Sequence, residues 1–402
     1  MRIGFQLRTG LRLIACLAIF ASFDAGAPIG IMAGVSDAGP DATLSLVYRD
    51  INQGKLDVAL ARTENLLKAY PNFRLAHLIR GDLLLAKSRP LTGFGNVSGA
   101  PADRLKDLQE EALARLKGYQ NRPSRDNIPR YLLQMQADQN YAIVVDTLSS
   151  RLYLFRNEKG RPVFVADYYI SQGKAGANKQ REGDLRTPVG VYRVISQLSP
   201  EKIGDFYGKR AFPLNYPNEL DKMFGRNGHG IWLHGVPANT YARPPKASEG
   251  CVVLANQDLD SLSGFMQIGL TPVIISNGVE WLTIKDWDKE RTELSQAVEA
   301  WRQDWESRDM DRYIRHYSAR FRSDGQDLHQ WEQQKRTVNA QKSWIKLGLG
   351  NLAIFRNPGR DEIVQVSFTQ DYRSSNLNNV SRKLQYWTKE NGRWKIIYEG
   401  SA

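Results

Sequence analysis

At Tyr141 the apolar residues of this chain change their spacing, and that change constrains the fold more than any other feature of the sequence. Before it, Leu44, Val47, Tyr48 and Ile51, then Leu60, Leu66 and Leu67, then Leu105, Leu108, Ala112 and Leu116 follow the spacing of amphipathic helices. Beyond it, Ile143, Val145, Leu152, Leu154, Val163 and Val165 recur at two within short β-prone runs, and residues 271–276 read as a closing buried strand. A third pattern starts near Arg291. Val298, Trp301, Trp305, Tyr313, Tyr317 and Phe321 extend a helical frame, and three alternating runs at 363–372, 381–387 and 392–398 follow, joined by polar turns such as Asn391-Gly392. A chain of 402 residues is long enough for several cores. The expected architecture is multidomain: an all-α region over 42–135, a mostly β domain over 141–277 and an α+β unit over 291–402.

Gly54, Ala59, Ala61, Tyr70, Pro71, Ala76, Gly81 and Ala86 resemble one tetratricopeptide-like helical hairpin, and a single such unit cannot stack into a solenoid. The Gly/Pro/Ser-rich stretch 87–101 reads as a long loop. In the C-terminal unit, the element order and the aromatics Trp301, Trp305, Tyr313, Tyr317, Phe321, Trp331, Trp387 and Trp394 resemble the cone fold of the nuclear transport factor 2-like superfamily. That fold hosts both enzymes and binding modules, so it assigns no activity by itself. Its aromatics are expected to be core and cone lining rather than a second active site.

The N-terminus bears on compartment. Arg2, Arg8 and Arg12 precede a short apolar run from Leu13 to Phe23, and Ala25-Gly26-Ala27 offers a cleavage site, so residues 1–27 read as a secretory signal peptide. The run has roughly half of the ~20 residues needed to span a bilayer, and no retained transmembrane segment is expected. Leu13-Ile14-Ala15-Cys16 superficially resembles a lipoprotein box, but Arg12 abuts it and lipidation is discounted. Cys16 leaves with the leader. Cys251 is then alone in an oxidising compartment, which excludes an intramolecular disulfide and leaves a buried structural thiol or a nucleophile. The net charge of +12 favours anionic partners, with nucleic acid, anionic lipid and carboxylate-rich polymers all open on charge alone.

Two segments of the β domain carry chemistry: Ile231-Trp232-Leu233-His234-Gly235 and Ser248-Glu249-Gly250-Cys251-Val252. Strand alternation sets His234 on the face opposite Ile231 and Leu233, free to leave the core and meet Cys251. A neutral imidazole within about 3 Å of the thiol would take its proton and leave the far better nucleophile, the thiolate. Gly250 allows a sharp turn that could aim amide N–H groups at a developing oxyanion, and the Gly235 carbonyl could orient the ring. A metal site built from His229, His234 and Cys251 competes weakly, because His229 and His234 are an odd number apart and no ligand cluster is nearby.

His234-Gly235 together with Ser248-x-Gly250-Cys251 resembles the active-site signature of the L,D-transpeptidase (YkuD-type) catalytic domain. Ser171-Gln172-Gly173-Lys174, Glu182-Gly183-Asp184 and the run from Thr187 to Tyr192 are similar to that family's entry segment. The likeness covers about 141–277, one third of the chain. The three-part layout further resembles the cell-shape-determining L,D-carboxypeptidases of helical bacteria. These resemblances imply a periplasmic enzyme without metal or other cofactor, acting on peptidoglycan stem peptides and not on nucleic acid, with other cell-wall proteins as possible partners of its outer regions. They imply Cys251, His234 and Gly235 as catalytic, and Ser248 and Gly250 as the loop and oxyanion residues. Cys251 would attack the carbonyl joining diaminopimelate to D-Ala, and the acyl group would pass to an amine or to water. A non-catalytic wall-binding scaffold is the alternative of a different class. Two departures stand out: Glu249 occupies the place of a usual His, and Val253 that of a frequent Arg. Substrate charge would then fall to Glu249, Arg243, Lys246 or Lys174, each of which also reads as solvated loop charge.

Overall fold

The computed structural model describes residues 39–97, 99–359 and 362–402; the expected leader at 1–27 lies outside them. Four helices come first, Pro40–Asn52, Leu56–Ala69, Arg74–Ala86 and Ala102–Gln120. Pro40 opens the first, where its missing N–H costs nothing. The apolar stripes of all four helices meet in one core with Phe73, Ile79 and Leu116, and Tyr241 and Ala255 of the β domain complete it. The helices are therefore docked on the β domain. Their interface also buries charge: Arg115 donates to Asp41 at 2.7 Å and to Glu111 at 2.8 Å, while Arg151 pairs with both Asp41 and Asp167.

The central domain is built on a five-stranded sheet in the order Arg161–Tyr169, Arg151–Glu158, Tyr141–Asp146, Pro272–Ser276, Gly190–Arg193. Tyr141–Asp146 and Pro272–Ser276 run parallel at its centre and are buried on both faces, which is why they read as near-continuous apolar runs. One face packs on Phe212, Leu233, Val252 and Leu259. The other packs on Tyr131, Leu132, Met135, Ala353 and Phe355. Two smaller sheets carry the chemistry-bearing segments: Val252–Val253, Trp232–His234 and Ala211–Pro213 form one, and Lys246–Ser248 pairs with Gln172–Gly173 in the other.

Residues 128–134, read from sequence as the tail of the helical region, are extended. Ile128–Pro129 pairs with Trp281–Leu282, and Leu132–Gln134 joins the edge of the C-terminal sheet beside Ile345–Arg356. Pro129 disfavours a helix, and Ile128 and Leu133 enter the C-terminal core while Tyr131, Leu132 and Met135 enter the core between the two sheets. This connector ties the two domains together.

The C-terminal unit has helices Ile284–Glu306, Met310–Ile314 and Leu328–Ala340 against a seven-stranded sheet. The helical frame ends at Glu306, earlier than its aromatic spacing implies. Arg308 takes a positive φ of 62°, and Asp309 caps a new short helix by accepting from the N–H groups of Asp311 and Arg312. Tyr317 and Phe321 consequently lie on the strand Tyr317–Ser323. The strand Ile345–Arg356 escaped the periodicity because Gly348 and Gly350 interrupt its alternation and a bulge falls between Gly350 and Ala353. Trp301, Trp305, Tyr313, Tyr317, Phe321, Trp331 and Trp387 converge in one buried cluster. No helix among the described residues is long and apolar enough to cross a membrane.

Candidate active site

The strand Trp232–His234 lies parallel to Val252–Val253, with Leu233 opposite Val252 and His234 opposite Val253. This register sets Cys251 one residue before its strand, level with Trp232 and two positions along the small sheet from His234. Both line a cavity of about 530 Å³, together with Tyr207, Trp232, Arg243 and Ser248. His234 is 2% exposed, whereas Cys251 is partly open to the cavity.

His234 Nδ1 lies 2.7 Å from the Gly235 carbonyl oxygen. A carbonyl can only accept, so Nδ1 carries the proton and Nε2 keeps the lone pair needed by a base. The Gly235 carbonyl thereby fixes the orientation and tautomer of the ring. A Cβ at Gly235 would sit 2.1 Å from Asn256 Oδ1 and would push that side chain off its contacts with Val236. Asn256 itself clamps the next residue, accepting from Val236 N–H at 3.1 Å and donating to Val236 O at 2.8 Å. Tyr207 stacks edge-on against the imidazole with centroids 5.0 Å apart.

Ser248 fixes the cysteine loop. Its Oγ accepts from Gly250 N–H at 3.2 Å and donates to the Cys251 carbonyl at 2.6 Å. Gly250 has φ 135°, and a Cβ there would meet Arg186 O at 2.8 Å, so only glycine fits. With its N–H given to Ser248, Gly250 shapes the turn, while the Cys251 N–H has no partner among the described residues and is the donor left for an oxyanion. The segment 171–174 packs directly beside this loop: Lys174 N–H donates to Ser248 O at 2.8 Å, and Gly173 N–H to Thr187 Oγ1 at 2.9 Å. The two sequence motifs are thus one structural unit.

Burial sets the resting protonation. It holds His234 down to about 4, helped by the nearby Arg243 guanidinium and opposed by the Gly235 hydrogen bond. It pushes the Cys251 thiol up to about 11, against the Trp232 N–H and Arg243, which favour the thiolate, and with Glu249, which disfavours it. Between those limits the pair is neutral, and Sγ donates to Gly230 O at 3.3 Å rather than to the ring. Iodoacetamide alkylation of Cys251 should therefore climb about tenfold per pH unit from 7 to 10 without a plateau near the ordinary thiol value of about 8.5. A plateau below pH 8 would reveal a preformed thiolate–imidazolium pair.

The substrate candidates separate. Lys246 is exposed and does not line the cavity. Lys174 and Glu249 stand at its rim, their side chains 53% and 80% exposed, with 4.0 Å between Nζ and Oε1. Glu249→Gln should change turnover by no more than about twofold, as expected of a rim charge, while slightly raising Cys251 alkylation; a tenfold loss of turnover would place Glu249 on the substrate instead. His229 pairs with Glu182 at 3.4 Å, and no metal-binding cluster occurs among the described residues. Sequence reasoning missed Tyr207, Asn256 and Lys179. Lys179 is buried against Asp184 at 2.8 Å; burial alone would raise that carboxyl, but Lys179 and the N–H groups of Gln180, Arg181 and Arg186 hold it down to about 2. The Glu182-Gly183-Asp184 motif hinted at this pair; nothing in the sequence marked Tyr207 or Asn256.

Residues 140–275 match the L,D-transpeptidase catalytic domain, and residues 293–400 match the Cds6 C-terminal NTF2-like domain. The structure of Bd1075 from Bdellovibrio bacteriovorus is 31% identical, with a TM-score of 0.62, over 69% of this chain and 98% of that one. The chain belongs to the L,D-transpeptidase family. The helical cell shape determining protein Pgp2 of Campylobacter jejuni is 25% identical over 67% of this chain and 95% of its own, with a TM-score of 0.58. Among curated relatives, YafK of Escherichia coli strain K12 is 27% identical over 126 residues, 29% of this chain. The chain spans about half the length of the curated relatives it matches, 46%. The L,D-transpeptidase match contains His234, Gly235, Ser248, Gly250 and Cys251, so the whole candidate site lies inside it.

Proposed function

We propose that this protein is a periplasmic peptidoglycan-modifying cysteine acyltransferase that cleaves the diaminopimelate–D-Ala bond of tetrapeptide stems. The observation that carries the reading is that Cys251 and a buried His234, whose Nδ1 is held by the Gly235 carbonyl, line one cavity. In this reading the thiol proton moves to Nε2 as Sγ attacks the carbonyl, and the Cys251 N–H meets the oxyanion. His234 then returns the proton to the departing D-Ala amine. The same imidazole deprotonates the acceptor, either water, which gives a trimmed tripeptide, or an amine, which gives a 3-3 cross-link. No cofactor enters the scheme. Likeness to a helical cell shape determining protein over 67% of this chain supports a role for the reaction in cell shape, with either acceptor. The basic chain and the leader-like N-terminus fit a wall substrate outside the cytoplasm.

Mass spectrometry of tetrapeptide muropeptides incubated with the purified protein tests the proposal. Tripeptide marks an L,D-carboxypeptidase, a 3-3 dimer marks a transpeptidase, and unchanged tetrapeptide would sink both and leave a wall-binding scaffold.

A further inference from the structure

Arg243 differs from the other cations of the cavity. Lys179 is tied to Asp184, Lys174 lies near Glu249 and His229 near Glu182, whereas among the described residues no carboxylate pairs with Arg243. Its guanidinium is half-buried, and a desolvated cation gains much from an anion. Its position is fixed by the protein. The guanidinium stacks over the Phe206 ring at 4.4 Å from the centroid, Nη2 donates to Phe206 O at 2.9 Å, and the Arg243 carbonyl accepts from Tyr169 Oη at 3.0 Å. Pro244 and Pro245 stiffen the chain that follows. Nε and Nη1 have no hydrogen-bond partner among the described residues, which leaves N–H groups of a planar fork suited to a carboxylate. Arg243 lines the same cavity as Cys251 and His234, so an anion held on it would share that cavity with the reacting pair.

We propose that Arg243 receives the free carboxylate of the leaving D-amino acid, so that the enzyme selects stems ending at that residue over amidated or extended ones. This inference rests on the acyl-transfer reading above. In a tetrapeptide stem the terminal carboxylate lies one residue beyond the carbonyl under attack, and Arg243 lines the cavity that such a stem would enter. Bound carboxylate would neutralise Arg243 and remove its opposition to imidazolium at the moment His234 must accept the thiol proton. The S–C bond then forms, the C–N bond breaks, and the proton leaves on the D-amino acid's amine.

The test compares a muropeptide tetrapeptide ending in free D-Ala with the same stem ending in D-alaninamide, using the purified wild-type protein, Arg243→Lys and Arg243→Met. The wild-type protein should prefer the acid by about 30-fold or more in kcat/KM, in line with a charge-assisted, bidentate contact. Arg243→Met should reduce that preference to about threefold or less, chiefly by raising KM for the acid, and Arg243→Lys should keep part of it. Thermal melting checks the fold; if Arg243→Met fails to fold, the Lys variant and the wild-type acid-to-amide ratio decide. Equal wild-type turnover of acid and amide, or an undiminished preference in a folded variant, would overturn the assignment while leaving acyl transfer standing. Failure of the wild-type protein to process either substrate would overturn both.

Discussion

Cys251→Ala is expected to lower turnover of tetrapeptide muropeptides by at least about 10³-fold while leaving the melting temperature almost unchanged. The two expectations have separate grounds. Every chemical step of the proposed reaction passes through Sγ, so nothing in the cavity can replace it. The thiol contributes little to the fold, since it borders the cavity and donates only a 3.3 Å hydrogen bond to Gly230 O. His234→Ala should fall to a similar level, because the two residues serve one step and their losses do not add. Muropeptide mass spectrometry alongside calorimetry checks both variants; near-wild-type processing by a folded Cys251→Ala protein would contradict the mechanism.

Asp41→Ala is expected to cost about 3–5 kcal/mol of stability, far more than a typical surface charge. Asp41 accepts from Arg115 at 2.7 Å and from Arg151, whose side chains are 2% and 1% exposed. Its removal leaves Arg151 with Asp167 and Arg115 with Glu111, so each buried guanidinium keeps one carboxylate of two and has N–H donors left without an acceptor at the interface between helices and β domain. Burial alone would raise the Asp41 carboxyl, yet the two guanidinium groups hold it below its ordinary value. With the folded-state value depressed, this contribution is present above the unfolded value of about 3.9 and is lost as pH falls through the folded one. Asp41→Asn, which keeps an acceptor oxygen, should lose less. Urea unfolding at pH 7 measures the difference, and a loss below about 1 kcal/mol for Asp41→Ala would show that the interface does not depend on this cluster.

The sequence was most legible where one physical demand governs each residue. The helical stripe of Leu44, Val47 and Tyr48 has a single buried face, so its period survives in the fold. The motif around Cys251 was legible for a different reason: Gly250 and Gly235 occupy places where a Cβ collides with Arg186 O and Asn256 Oδ1, and such glycines mark the loop in any reading. Legibility failed where two domains share a segment. Ile128 to Gln134 serves two cores and two sheets, a demand no local period reveals. It failed again at Phe321, where aromatic spacing imitates a helix but the Arg308–Asp309 break starts new structure. Tyr207 and Asn256 meet His234 and Gly235 only through tertiary folding, from 27 residues before and 21 after. Roles for Lys174, Lys246, Glu249 and Arg243 could not be ranked from sequence, because ion pairing and access to the cavity separate them and both arise from the fold.

Trapping the covalent intermediate tests the central claim most directly. Wild-type protein mixed with tetrapeptide muropeptide, quenched in acid at successive times within the first turnover and mapped by peptide mass spectrometry, should carry the stem minus D-Ala on the peptide containing Cys251, with free D-Ala appearing in step. Release of D-Ala with Cys251 unmodified at every time, or an adduct on any other residue, would contradict it.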